Sequence, residues 1–377
     1  MGPAFVLIVA CCRRPVGPST IAAIRSAAAR VDDWNELVRL ADRHRVEPLV
    51  ATGLTQAGVE VPPALGAAAD RYRAESLRDV AETLRIAAAL DDAGIAHRFL
   101  KGAALGVVAL GSPIAKRSWD IDLLVLPGDA VTAAACLGAL DYRPSVPPRP
   151  FNDEEFARWR IVSKEAEFRS PSGSTVELHW RLSDHPHLLP GITADGPKRM
   201  VPLLGSHVVA TLADDINLAY LAVHGTTHAW FRLKWLADFN GLLHSIEPER
   251  RVEILAQARA LGVGRSLDAA LGLARKLFGD GDGGDPPVGP TARLVTISIG
   301  ALLDPDPGRA ARRGSAARWL YGEGLRFQRT EIAIRLRGTL DRLDFPLPAR
   351  LGFLYPLLRL PLLLLRRARS MVGTSRG

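Results

Sequence analysis

The chain has 377 residues, 47% hydrophobic and 23% charged, with a net charge of +8 and a pI near 9.8. That length exceeds one average domain, and the composition excludes a disordered or fibrous protein and predicts two or three units sharing a core. The charge suits an anionic partner such as a nucleotide, nucleic acid or acidic membrane surface, although its arginines are spread along the helices as on an ordinary solvated surface. Three cysteines, Cys11, Cys12 and Cys136, are too few and too badly spaced for a disulfide framework or zinc site, and a reducing, cytoplasmic location is expected.

In chain order, the apolar run Phe5 to Cys12 lacks a preceding basic residue and makes a poor secretory signal; residues 1–18 carry no assigned role, and an upstream mis-assigned start is an equal reading. Residues 19–94 read as helical, with Asp32-Asp33-Trp34 as a capped start and Val61-Pro62-Pro63 opening another helix. Residues 95–205 read as mixed α/β, with strands near 96–100, 120–126, 166–170 and 175–180, a helix over 128–140, a proline-rich loop over 143–150 and a short helix over 152–160. A helical domain is expected over 206–278; within it, 3.6-residue periodicity puts His224, His228, Phe231, Trp235, Asp238 and Leu242 on one face. Residues 279–290 read as a linker and 291–377 as a further helical region. The apolar stretch 351–365 is broken by Pro356, Arg359 and Pro361 and is too short to cross a bilayer. Packing back on the helical domain is preferred there over peripheral membrane contact. The fold class is α+β, a small mixed sheet flanked by N- and C-terminal helices.

The chemistry concentrates in Trp119-Asp120-Ile121-Asp122-Leu123-Leu124-Val125-Leu126. Apolar strands exclude unpaired carboxylates, which cost several kcal/mol out of water. Strand periodicity turns Asp120 and Asp122 to one face while Ile121 and Leu123 enter a core. Two carboxylates aimed at one spot suit Mg²⁺ or Mn²⁺ better than zinc. Upstream, the strand His97 to Leu100 runs through Lys101-Gly102 into a helix, offering free N–H groups and a positive helix end to a polyphosphate, with Lys116 and Arg117 following. Downstream, Val176-Glu177-Leu178-His179 alternates so that Glu177 can join the aspartates as a third acid around two metals. His224 and His228 have i, i+4 spacing but no third soft ligand. They and Asp238, orienting a histidine or Arg232, read as a polar cluster bordering the cleft rather than a zinc site.

The order Phe99-Leu100-Lys101-Gly102, Arg117, Asp120-Ile121-Asp122, then Val176-Glu177-Leu178-His179-Trp180 resembles the uncharacterised nucleotidyltransferase family, of the DNA polymerase β-like superfamily. The likeness extends upstream over Trp34, Leu37, His44-Arg45-Val46 and Pro48-Leu49, and downstream over His224-Gly225, His228, Trp230, Trp235 and Asp238, covering about residues 30–245. The superfamily usually has Gly-Ser or Gly-Gly where this chain has Lys101-Gly102-Ala103. The resemblance implies transfer of NMP from an NTP, with ATP favoured, to an acceptor hydroxyl or phosphate. Asp120, Asp122 and Glu177 would hold metal, and Lys101, Gly102 and Arg117 would contact phosphate. Asp120→Asn or Asp122→Asn is expected to stop turnover with the fold intact or relieved of carboxylate repulsion. The acceptor, a small molecule, peptide or protein, is not readable. Alternatives are a catalytically weak nucleotide-binding or partner-recruiting module and an enzyme of RNA ends, the latter without any aromatic–basic interleaving in its favour.

Overall fold

The computed structural model describes residues 1–279 and 286–336, with scattered positions between 345 and 364. Five helices come first: α1 (Pro3–Cys12), α2 (Pro18–Ala28), α3 (Trp34–His44), α4 (Glu47–Gln56) and α5 (Pro63–Asp92). The apolar N-terminal run is a core helix, with Leu7, Ile8 and Cys12 all fully buried. Helix α3 starts where Asp33 accepts hydrogen bonds from the backbone N–H groups of Asn35 and Glu36 at 2.9 and 3.0 Å. It ends at Arg45, which takes a left-handed conformation at φ 56°.

The mixed core runs β1 (His97–Phe99), α6 (Gly102–Leu110), β2 (Ile121–Val125), α7 (Ala130–Ala139), β3 (Arg143–Val146), α8 (Asp153–Trp159), β4 (Glu165–Arg169), β5 (Thr175–His179), β6 (Lys198–Leu204) and β7 (His207–Leu212). Its five-stranded sheet has the order β1-β2-β5-β4-β3. Only the central β2·β5 pair is parallel, with Asp122 in register with Glu177. The expected loop at 143–150 is in part the edge strand β3, paired with β4 through a register shift after Pro144. An edge position tolerates the donor that proline lacks. The β6·β7 hairpin was not anticipated, and the 205/206 boundary falls at its turn.

Helices α9 (Asp214–Thr227), α10 (Leu233–Ser245), α11 (Pro248–Ala258) and α12 (Gly264–Phe278) follow, then α13 (Gly289–Leu303), α14 (Pro307–Ala317) and α15 (Gly324–Leu336). The single helical face expected over 214–243 is two helices, because Ala229 and Trp230 both take positive φ of 50°. The Trp230 ring packs so close to Gly225 that a Cβ there would lie 2.4 Å away. Gly241 likewise lets α10 press onto α6, since a Cβ would sit 2.2 Å from the Ala109 carbonyl oxygen. That approach packs the later half of α10 against the last turn of α6. Among the described residues no helix is long and apolar enough to cross a membrane. Most of the 351–365 stretch, and with it the expected packing or membrane contact, lies outside the described residues, as does much of the expected linker.

Candidate active site

Strands β2 and β5 supply the centre. Parallel register sets Asp122 beside Glu177 on one face, while Val176 and Leu178 fill the core behind them. Asp122, Glu177 and His179 each offer a ligand atom within 4.8 Å of the others. Antiparallel pairing of β1 with β2 brings the end of β1 to Asp122: Leu100 N–H donates to the Asp122 carbonyl at 3.0 Å, and Lys101 Nζ reaches the Asp122 carboxylate at 2.8 Å. Gly102, the first residue of α6, holds φ 60°, which a side chain would strain.

His179 is wholly buried and central to the acids. Its Nε2 lies 3.3 Å from Asp122 and 3.4 Å from Glu177, and its Nδ1 lies 3.1 Å from Glu165. Burial and Lys164 oppose a charged imidazole, but Glu165, Asp122 and Glu177 together raise its pKa. Burial would push the Asp122 carboxyl up, yet Lys101 and His179 hold it well below the usual range. Burial likewise works against the Lys101 ammonium, and Asp122 reverses this, holding it well above its ordinary value. Glu177 goes the other way, raised by burial first and then by Asp122 and Glu165 despite His179. Within one sheet, two carboxyls are therefore driven apart: Asp122 stays ionised and Glu177 holds a proton more readily.

Glu165 of β4 and Glu177 of β5 line a cavity of about 430 Å³, with Asp122 and His179 buried behind it. Lys101, Gly102, Asp120, Glu177, His224, His228 and Asp238 all line it, so seven of the nine expected site residues converge. Asp120 stands just before β2, half-buried, and is outside the close ligand cluster, where His179 takes the third place. Arg117 does not reach the cavity lining among the described residues. Its guanidinium pairs with Asp42 at 3.0 Å and Glu47 at 3.2 Å and lies over the rings of Tyr72 and Trp119. Ahead of β2 alternate residues line the cavity: Lys116, Ser118 and Asp120 do and Arg117 does not. Parity with Asp120 was the available signal for choosing Lys116 over its neighbour.

The helical wall also differs from expectation in its partners. Asp238 pairs with Lys116 at 2.7 Å rather than orienting a histidine or Arg232. The His224 and His228 rings lie 4.8 Å apart between centroids and are tilted by 56°, and burial lowers both, His228 to about 4. They are neutral rings able to donate or accept one hydrogen bond each to a ligand. Lys234, in the first turn of α10, also lines the cavity, and burial pushes its ammonium down to about 8 despite Asp120. Sequence reasoning passed over Lys234, Glu165 and Lys164, and also the far wall of Arg318, Tyr321, Phe327 and Glu331. These come together only through tertiary packing, and nothing local marked them.

A divalent cation fits this centre. Both Asp122 carboxylate oxygens and both His179 ring nitrogens are buried and fall short of hydrogen-bond geometry despite their ionic contacts. Such orphaned groups are costly unless a ligand completes them. The carboxylates suit a hard ion of the Mg²⁺ or Mn²⁺ type. A small mixed sheet with adjoining acids on parallel strands, beside a strand–glycine–helix turn and a cavity, is the arrangement of a nucleotidyltransferase. Residues 31–279 match the family described as uncharacterised nucleotidyltransferase, and the chain belongs to that family. No curated protein matches the chain.

Proposed function

We propose that the protein transfers a nucleoside monophosphate from an NTP, with ATP the favoured donor, to a hydroxyl or phosphate of an acceptor. An acceptor oxygen bonds to the α-phosphorus, the bond from that phosphorus to the β-phosphate bridge breaks, and pyrophosphate leaves. The observation that carries this reading is the cross-strand pairing of buried Asp122 with Glu177, which lines the cavity. A bound Mg²⁺ or Mn²⁺ would neutralise phosphate charge and acidify the acceptor hydroxyl.

The chain's own groups divide the work. Asp122, Glu177 and, from the rim, Asp120 would hold the metal. Lys101 fixes the Asp122 carboxylate and keeps it ionised. Glu177, whose raised carboxyl suits proton exchange, accepts the proton from the acceptor. The start of α6 offers N–H groups to the β- and γ-phosphates where Gly102 permits close approach. His224 and His228 orient donor or acceptor as neutral hydrogen-bonding rings, and Asp238 holds Lys116 at the wall.

Incubation with each α-labelled NTP, Mg²⁺ and cell extract tests the reaction. Label should move to an acceptor with stoichiometric pyrophosphate, and the absence of both with every NTP would remove the proposal. One observation favours the second reading, a nucleotide-binding module with weak catalysis: the Lys101 ammonium already sits on the carboxylate a metal would use. Nucleotide binding without pyrophosphate release would select it.

A further inference from the structure

Six cations line the cavity: Arg45, Lys101, Lys116, Lys164, Lys234 and Arg318. Four have carboxylate partners. Lys101 meets Asp122 at 2.8 Å, Lys116 meets Asp238 at 2.7 Å, Lys164 meets Glu165, and Arg318 lies 3.9 Å from Glu331. Among the described residues, Arg45 and Lys234 make no ion pair and no side-chain hydrogen bond, and the Asp120 carboxylate makes none either.

Those three groups line the same cavity, close enough that Asp120 acts electrostatically on both cations. Each cation is held at a cost. Lys234 stands in the first turn of α10, at the positive end of a 13-residue helix, with Lys116 and Arg45 adding like charge. Arg45 sits in a left-handed backbone conformation that a non-glycine residue adopts reluctantly, its guanidinium 4.6 Å from the Trp119 ring centroid. Trp119 in turn contacts Arg117, already neutralised by Asp42 and Glu47. The arrangement leaves two desolvated positive charges beside a helix N-terminus, with Asp120 the counter-charge they share. Glu47 and Asp42 also act on Arg45 and Asp238 on Lys234, but none of these acids forms an ion pair with either cation. An anion with several oxygens satisfies both cations and the helix end at once.

We propose that Arg45 and Lys234 are the polyphosphate grip of this cavity, holding the terminal phosphates of the ligand beside Asp120. Lys101 is committed to Asp122 and Arg117 to its own acids, so the grip falls to residues that sequence reasoning had not placed there. The identification of the anion as the tail of an NTP rests on the nucleotidyl-transfer reading; the grip itself does not.

The test is binding of inorganic tripolyphosphate with Mg²⁺ to the full chain by calorimetry, beside NTP kinetics, for wild type, Lys234→Met, Arg45→Met, Lys234→Arg and the surface control Arg250→Gln. Loss of one charge-assisted contact should weaken tripolyphosphate binding roughly 10- to 100-fold and raise the NTP KM similarly, with kcat changed less. Lys234→Arg should recover most of the affinity, and Arg250→Gln should match wild type. Without ligand, Lys234→Met should melt at or above the wild-type temperature because a desolvated cation is gone, whereas a structural lysine would give a lower one. Folded Lys234→Met and Arg45→Met proteins binding tripolyphosphate as wild type does would overturn the grip, as would a wild type that binds none. Grip-dependent binding without turnover of any NTP would leave the grip standing and remove the transfer reaction. Turnover with KM indifferent to both substitutions would do the reverse.

Discussion

The acids on the strands and the charges of Asp120, Arg45 and Lys234 on the cavity lining are stabilised in opposite ways. Asp122 lies among Lys101 and His179, with Glu177 and Glu165 around them, so its charge is paired before any ligand arrives even though its hydrogen bonds are not completed. Asp120, Arg45 and Lys234 share the cavity but have no such partners among the described residues. An ion-paired cluster fixes geometry and resists substitution, whereas an unpaired one stores electrostatic free energy that a ligand can release. The same substitution should therefore have different consequences at Asp122 and Asp120, although the two carboxylates are only two residues apart.

The largest effect is expected at Asp122→Asn. Turnover should fall by roughly 10³-fold, as for loss of a principal electrostatic group. Stability should also drop, by about 3–5 kcal/mol, because Lys101 would be left buried and unpaired. This reverses the expectation that removing the carboxylate relieves repulsion: its nearest charged partner is a cation. Asp120→Asn should lose turnover by about 10²-fold or more but lower its urea midpoint less than Asp122→Asn does, because it supports Arg45 and Lys234 only through space and breaks no direct ion pair. Equal destabilisation by both substitutions would erase the distinction between the two regions.

A smaller effect isolates burial from catalysis. His44 is fully buried, accepts from the Leu233 N–H at 3.2 Å, and burial followed by Arg43 lowers it to about 3. It is neutral in the fold but protonates near pH 6.5 when unfolded, so its contribution is fully favourable above that pH and is lost as pH falls toward 3. Between pH 7 and 5 it should account for about 2 kcal/mol of lost stability. Urea unfolding of His44→Gln at both pH values should show that much less pH dependence. An unchanged dependence would mean that the ring is accessible to protons in the folded protein.

The strand acids were legible because period-two alternation and an apolar context are local signals, and both survive in β2 and β5. Their partners were not. That Lys101 meets Asp122 depends on the antiparallel register of β1 and β2, set by pairing across more than twenty residues. Arg117 was misjudged because spacing alone does not say which side of an extended segment faces a cavity; its parity with Trp119 rather than Asp120 does. The histidine face over α9 and α10 was read as one continuous helix, yet His224, His228, Trp235 and Asp238 still meet at the cavity because the turn at Ala229 and Trp230 refolds the second helix beside the first. The wall from Arg318 to Glu331 lies beyond the family match, and no sequence pattern tied it to the site.

Manganese binding, followed by electron paramagnetic resonance with a non-hydrolysable NTP analogue present, tests the centre most directly. Wild type should bind Mn²⁺, and Glu177→Gln, which removes a carboxylate without stranding Lys101, should weaken that binding by roughly tenfold or more. Equal Mn²⁺ affinity in the two folded proteins would contradict the pairing of Asp122 and Glu177 as a metal-holding site.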